Sequence, residues 1–245
     1  MLITTEKKWI VIIVGLAVWS NFLSVLPPAS RAQNLPPLST QAQSVYQAQP
    51  VLPPITYESL LRITRDQPIM DALQLLPGTP QESILRHILK RRVRVVFKDL
   101  TSLNKQLRDY DALSWLGPDG SLMVYINQKH RTAPPQALAA LIAHEVIHDD
   151  PHNSLQEEIT GWQIEAAVWR RMLTQYPALQ GIAPEAYPLV DRLNRLAQEQ
   201  HQGTLEQFVR NNPGYQGLPE VSPGFAPIAV SNPSGPLPMP KSENQ

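Results

Sequence analysis

Residues 135–148, PQALAALIAHEVIH, place an HExxH spacing inside an apolar run. Leu138, Leu141 and Ile142 recur at helical spacing, and proline is well tolerated in a first helical turn, so a helix is predicted from about 133 to 149. On a helix, positions i and i+4 project from one face a turn apart. His144 and His148 can therefore both reach a single metal ion, with Glu145 beside them, close enough to touch a water held there. With six histidines among 245 residues, a match arises by chance in about 0.7 % of such compositions. The plain alternative is an amphipathic helix whose histidines merely form hydrogen bonds.

Pro151-His152-Asn153 breaks this helix, and Ser154 can cap the next, over 155–175. A catalytic zinc site takes three protein ligands and leaves a position open. Ser154 stands where a metzincin would carry its third histidine, and His152 lies beyond the break, so neither completes the set. The following helix offers Glu157, Glu158 and Glu165. Glu158 is the favoured ligand and Glu165 the alternative. They are seven residues apart on one face, so one can ligate while the other hydrogen-bonds a ligating histidine. Gly161, without a side chain, lets the two helices approach closely. Glu157 reads as a solvated carboxylate in a helical first turn, and Trp162 and Trp169 read as core packing.

The run LMVYIN…PPQALAALIAHEVIH…EEITGWQIEAAVW, over about 121–172, resembles the gluzincin branch of the zincin metallopeptidases, especially its small single-domain members. The resemblance covers roughly a fifth of the chain. It implies a strand ahead of the HExxH helix and a glutamate on the following helix, often in an ExxA-like setting where this chain has Gly161. It also implies peptide hydrolysis with Zn²⁺ held by His144, His148 and a glutamate. Glu145 would then act as general base towards a water made acidic by the metal. A strand over 121–127 would lie along the cleft and, if its edge were free, take an extended peptide by main-chain pairing. The transition-state stabiliser would come from elsewhere, with Tyr125, Tyr187 and His201 as candidates.

The rest of the chain frames this motif. Short helices are predicted at 57–65 and 69–76, a stronger one at 80–92, and a strand at 93–97. A hairpin is predicted from 112–116 and 121–127 around Gly117-Pro118-Asp119-Gly120, and two further helices at 184–201 and 204–211. The order points to α+β: a zincin-like fold with a small, mostly antiparallel sheet, the HExxH helix and a glutamate-bearing helix after it. The foldable domain is expected at 57–212. Residues 33–56 hold five prolines and no charge and read as a linker, and 213–245 hold eight prolines and read as a disordered tail.

Residues 1–32 read as a secretory signal. Lys7 and Lys8 precede an apolar stretch, and Ser30-Arg31-Ala32 offers a cleavage site after Ala32. This predicts a secreted or periplasmic protein. An uncleaved N-terminal anchor is the alternative, since 9–26 is close to the length that spans a bilayer. Lys+Arg and Asp+Glu are equal at 21 each, a balance unlike that of a nucleic-acid binder. The chain has no cysteine, so any metal must be held by His, Asp or Glu. The expected function is an exported zinc metallopeptidase acting on a peptide or protein substrate. The competing reading is a zincin-like metal-binding scaffold of the cell envelope that cleaves nothing.

Overall fold

The computed structural model describes residues 10–12, 54–76, 82–117, 119–148, 152–183 and 185–225. The expected linker falls almost wholly outside these residues, as does the signal apart from 10–12.

Helix α1 (Tyr57–Leu61) starts at a reciprocal cap between Thr56 and Ser59. Helix α2 (Gln67–Gln74) has a proline in its first turn. Helix α3 (Glu82–Arg91) carries Glu82 at its start and Lys90 and Arg91 at its end, as its dipole favours. Arg92 adopts a left-handed backbone (φ 56°), which stops α3 and turns the chain into a strand. All three lie close to where the periodicity predicts them, although α1 is shorter.

Strand β1 (Ile10–Ile12) pairs antiparallel with β3 (Ala112–Leu116), and β3 pairs antiparallel with β4 (Leu122–Asn127). Strand β2 (Arg94–Lys98) runs parallel to β4, giving the order β1-β3-β4-β2. The sheet is therefore mixed: two of its pairings are antiparallel and the β2–β4 pairing is parallel. The β3–β4 hairpin is tight, but two three-residue 3₁₀ turns and β3 separate β2 from β4, which lets the chain return in the same direction. Cleavage after Ala32 would remove β1 and leave the three strands of 94–127.

The two faces of the sheet differ. Val95, Ala112, Leu122, Val124 and Ile126 join the main core, whereas Leu113 forms a smaller cluster with Leu100 and Leu107, flanked by Trp115 and Tyr125. Strand alternation sends successive side chains to opposite faces, and Ser114 thereby falls on the main-core side.

Helix α4 (Pro135–Glu145) is apolar all round and packs against α2, α5 and β3, as a fully buried helix must. Helix α5 (Leu155–Gln175) is capped by Ser154 and packs on α6 (Pro188–Gln202) and α7 (Leu205–Arg210). Among the described residues no helix is long and apolar enough to cross a membrane.

The domain does not end at 212. Tyr215 and Ser222 are buried, and Leu218 and Phe225 pack against the core. The carbonyls of Pro219 and Glu220 accept from the N–H groups of Leu155 and Gln156, at 2.8 and 3.0 Å. The first N–H groups of any helix lack partners within it, so this segment closes the start of α5 by main-chain bonds that proline content does not forbid. Only 226–245 of the expected tail lies outside the described residues. Ending the chain after Asn212 should lower Tm by about 2–4 °C for each kcal/mol lost. Burial of Tyr215 and Leu218 alone is worth on the order of 3 kcal/mol. An unchanged melting curve would refute this packing.

Candidate metal centre

The chain leaves α geometry inside the motif itself. Helix α4 closes at Glu145, not at 149, and the N–H groups of Ile147 and His148 bond to carbonyls three residues back, His144 and Glu145. The tightened turn still keeps both imidazoles together, with ring centroids 5.3 Å apart.

Helix α5 crosses directly over them. A Cβ built on Gly161 would stand 2.8 Å from His144 Cδ2 and 2.9 Å from Nε2, so a hydrogen at this position is what allows the contact. The close approach brings the carboxylate of Glu158 to His144, with 3.8 Å between Oε2 and Nε2. Asn153 Nδ2 donates to the other Glu158 oxygen at 2.5 Å, which orients the carboxylate.

His144 Nε2, His148 Nε2 and Glu158 Oε2 are buried and have no hydrogen-bond partner. One ligand atom from each residue lies within 4.8 Å of the others, so the trio can hold a metal ion. Three buried polar atoms left unsatisfied together would be costly in an empty cavity. They fit a cation whose bonds replace the missing hydrogen bonds.

The outward-facing nitrogens are all engaged. His144 Nδ1 lies 3.1 Å from Glu165 Oε2, and His148 Nδ1 lies 3.0 Å from Glu157 Oε1. Glu165 therefore orients a histidine, and Glu158 is the carboxylate at the cluster. Glu157, expected in solvent, is fully buried. The Ser154 hydroxyl accepts from its N–H and starts α5 inside the fold. His152 is exposed.

Glu145 sits beside the cluster. The Ser114 hydroxyl lies 2.7 Å from its carbonyl oxygen and 2.8 Å from Oε2. Burial pushes the Glu145 carboxyl up, opposed by the two imidazoles and the Ser114 bond. Burial disfavours the protonated form of His144, but Glu158 and Glu165 outweigh it and raise its pKa to about 10. Four buried carboxylates (Glu145, Glu157, Glu158, Glu165) thus surround two imidazoles, an environment that favours added positive charge.

Among the tyrosines of the described residues, the one brought to the cluster is Tyr215. Trp162 Nε1 donates to its hydroxyl oxygen at 2.9 Å. Burial, and next the charge of Glu158, hold its phenol well above the ordinary range, so it keeps its proton. Trp162 also meets the His144 ring edge-on at 5.5 Å, so it positions groups as well as filling the core. Tyr125 pairs across from Leu113 on the opposite sheet face, Tyr187 stands at the start of α6, and His201 is exposed in its last turn. Tyr215 lies between Pro213 and Pro219, where no periodic pattern marks it. Ser114 left a faint trace as the one hydroxyl in an otherwise apolar strand.

No family model, no curated protein and no solved structure matches the chain.

Two outcomes follow from the geometry. Gly161→Ala should push against the His144 ring, lower stability by about 1–3 kcal/mol and weaken metal binding, measured by denaturant unfolding and chelator competition. Glu158→Gln should bind metal far more weakly than Glu165→Gln, whose loss should be about 10–100-fold. The reverse order would make Glu165 the ligand.

Proposed function

We propose that the chain is a zinc-dependent metallopeptidase of zincin-like, gluzincin type that hydrolyses peptide bonds. His144, His148 and Glu158 hold the metal, and Glu145 serves as general base. The observation that carries the reading is the trio of ligand atoms without hydrogen-bond partners, brought together from α4, the turn after it and α5, with a buried carboxyl of raised proton affinity beside them.

Zn²⁺ in such a site would supply Lewis acidity towards a carbonyl and make a water acidic near neutral pH. The remaining work falls to the chain. Glu145 accepts a proton and returns it to the leaving amine, and Ser114 keeps its carboxylate in place. Glu157 and Glu165 hold the Nδ1 atoms, so each imidazole turns Nε2 inward. Tyr215 offers a phenol proton for a developing oxyanion.

Strand β4 cannot take a substrate by main-chain pairing, because β3 and β2 flank it on both sides. The strand that reaches Glu145 is β3, and its outer edge already pairs with an extended apolar segment, Ile10–Ile12. With residues 1–32 removed, as the export reading expects, this edge of β3 would be open to an extended peptide.

The second reading, a metal-binding scaffold without activity, rests on a specific feature: His144, Glu145, His148 and Glu158 are each at most 1 % exposed. Cleavage would require cover such as 213–225 to move. The basic-then-apolar N-terminus and its Ser30-Arg31-Ala32 site support export, with a retained anchor as the alternative.

Purified full-length protein should carry about one equivalent of zinc and slowly cleave unfolded casein. Glu145→Gln should keep the zinc and lower kcat by about 10²–10⁴. Zinc without cleavage in either form would favour the scaffold. No bound metal after reconstitution would end both readings.

A further inference from the structure

Arg192 on α6 is largely buried, with 12 % of its side chain exposed, and it meets two carboxylates from different elements. Its Nη2 and Nη1 reach Glu165 Oε1 and Oε2 at 2.5 and 3.1 Å, a two-pronged contact that fixes the plane of that carboxylate. Its Nε lies 2.8 Å from Asp111 Oδ2, immediately before β3. Asp111 is itself held by His130 Nε2 at 2.6 Å and Lys129 Nζ at 3.1 Å, and its carbonyl accepts from Asn127 N–H at 2.8 Å. The guanidinium also lies over the Trp162 ring, 5.4 Å from its centre.

The next link is the bond from Glu165 Oε2 to His144 Nδ1. A carboxylate gripped by both prongs of a guanidinium serves as acceptor, so Glu165 takes the Nδ1–H of His144 and turns Nε2 towards Glu158. We propose that Arg192 is a positioning residue of the metal centre, acting through Glu165 on His144 and anchored to the sheet by Asp111. This rests on the reading of His144 as a metal ligand. In consequence the affinity for metal depends on α6, which contributes no ligand.

The planar fork explains why arginine is required. Lysine would keep the positive charge between Asp111 and Glu165 but could not hold both Glu165 oxygens while reaching Asp111. In full-length protein, Arg192→Lys should stay folded by circular dichroism, with a Zn²⁺ dissociation constant about tenfold higher in chelator competition. Arg192→Gln should weaken binding by about 10–100-fold. The visible d–d bands of the Co²⁺-substituted protein should shift in both, a signature that a purely structural residue would not move. Combining Arg192→Gln with Glu165→Gln should add little to either alone, since both act through one bond.

A folded Arg192→Lys or Arg192→Gln with wild-type Zn²⁺ affinity and unchanged Co²⁺ bands overturns the proposal, and should one variant fail to fold, the other decides. Full additivity with Glu165→Gln overturns the route through Glu165. Failure of the wild-type protein to bind either ion refutes the metal-ligand reading on which the proposal rests. Wild-type metal binding without peptidase activity refutes the enzyme alone and leaves Arg192 in its role.

Discussion

A carboxylate removed from water is tolerable only where a donor or a positive charge meets it, and this protein buries four around two imidazoles. That constraint orders the centre of the molecule. Glu157 and Glu165 are met by histidine Nδ1 atoms, Glu165 also by Arg192, and Glu145 by Ser114. Glu158 is met on one oxygen by Asn153, and its second oxygen faces two Nε2 atoms that also lack partners. The unmet remainder is concentrated at one point, where a cation would satisfy it. An arrangement selected for stability alone would gain from replacing these groups with well-packed apolar side chains, so their retention favours a functional account.

The centre also depends on how closely two helices approach. Helix α4 is apolar around its circumference and has no polar face to turn to water, so α2, α5 and the sheet enclose it. Helix α5 then crosses at Gly161, where any side chain would strike the His144 ring. The same crossing puts Trp162 against that ring and directs the Trp162 N–H to Tyr215. Packing and site geometry are therefore one problem here, because Gly161, which allows the close approach, and Trp162 beside it both lie against the His144 ring.

Closure comes from the end of the described chain. Residues 213–225 supply Tyr215 to the cluster and main-chain acceptors to the start of α5, and Arg210 grips Glu220 with two bonds at the surface. Excluding water strengthens every electrostatic interaction within, which suits both tight metal binding and catalysis. It also makes access to Glu145 a conformational matter. The surface pair Arg210–Glu220 is worth little by itself, so the apolar contacts of Tyr215, Leu218 and Phe225 carry most of the attachment.

Local rules sufficed for the periodic parts. Apolar spacing and turn residues marked α4, α5 and the β3–β4 hairpin, and the i, i+4 spacing placed His144 and His148 on one face. Glu158, and the small residue three positions later, could also be read from the line of residues, because helical periodicity acts over a few positions. Contacts between distant segments left no such trace. The parallel pairing of β2 with β4, Ser114 beneath Glu145, Arg192 behind Glu165 and Tyr215 above Trp162 join residues 27 to 53 or so positions apart. Glu157 differs for the same reason: an acidic first turn is solvated unless another segment meets it, and here His148 Nδ1 lies 3.0 Å from its Oε1. Residue type and spacing alone limit which side chains can serve a metal. Tertiary packing decided which of them are buried, which face inward and which orient the others, because burial and pairing belong to the folded surroundings and not to the residue.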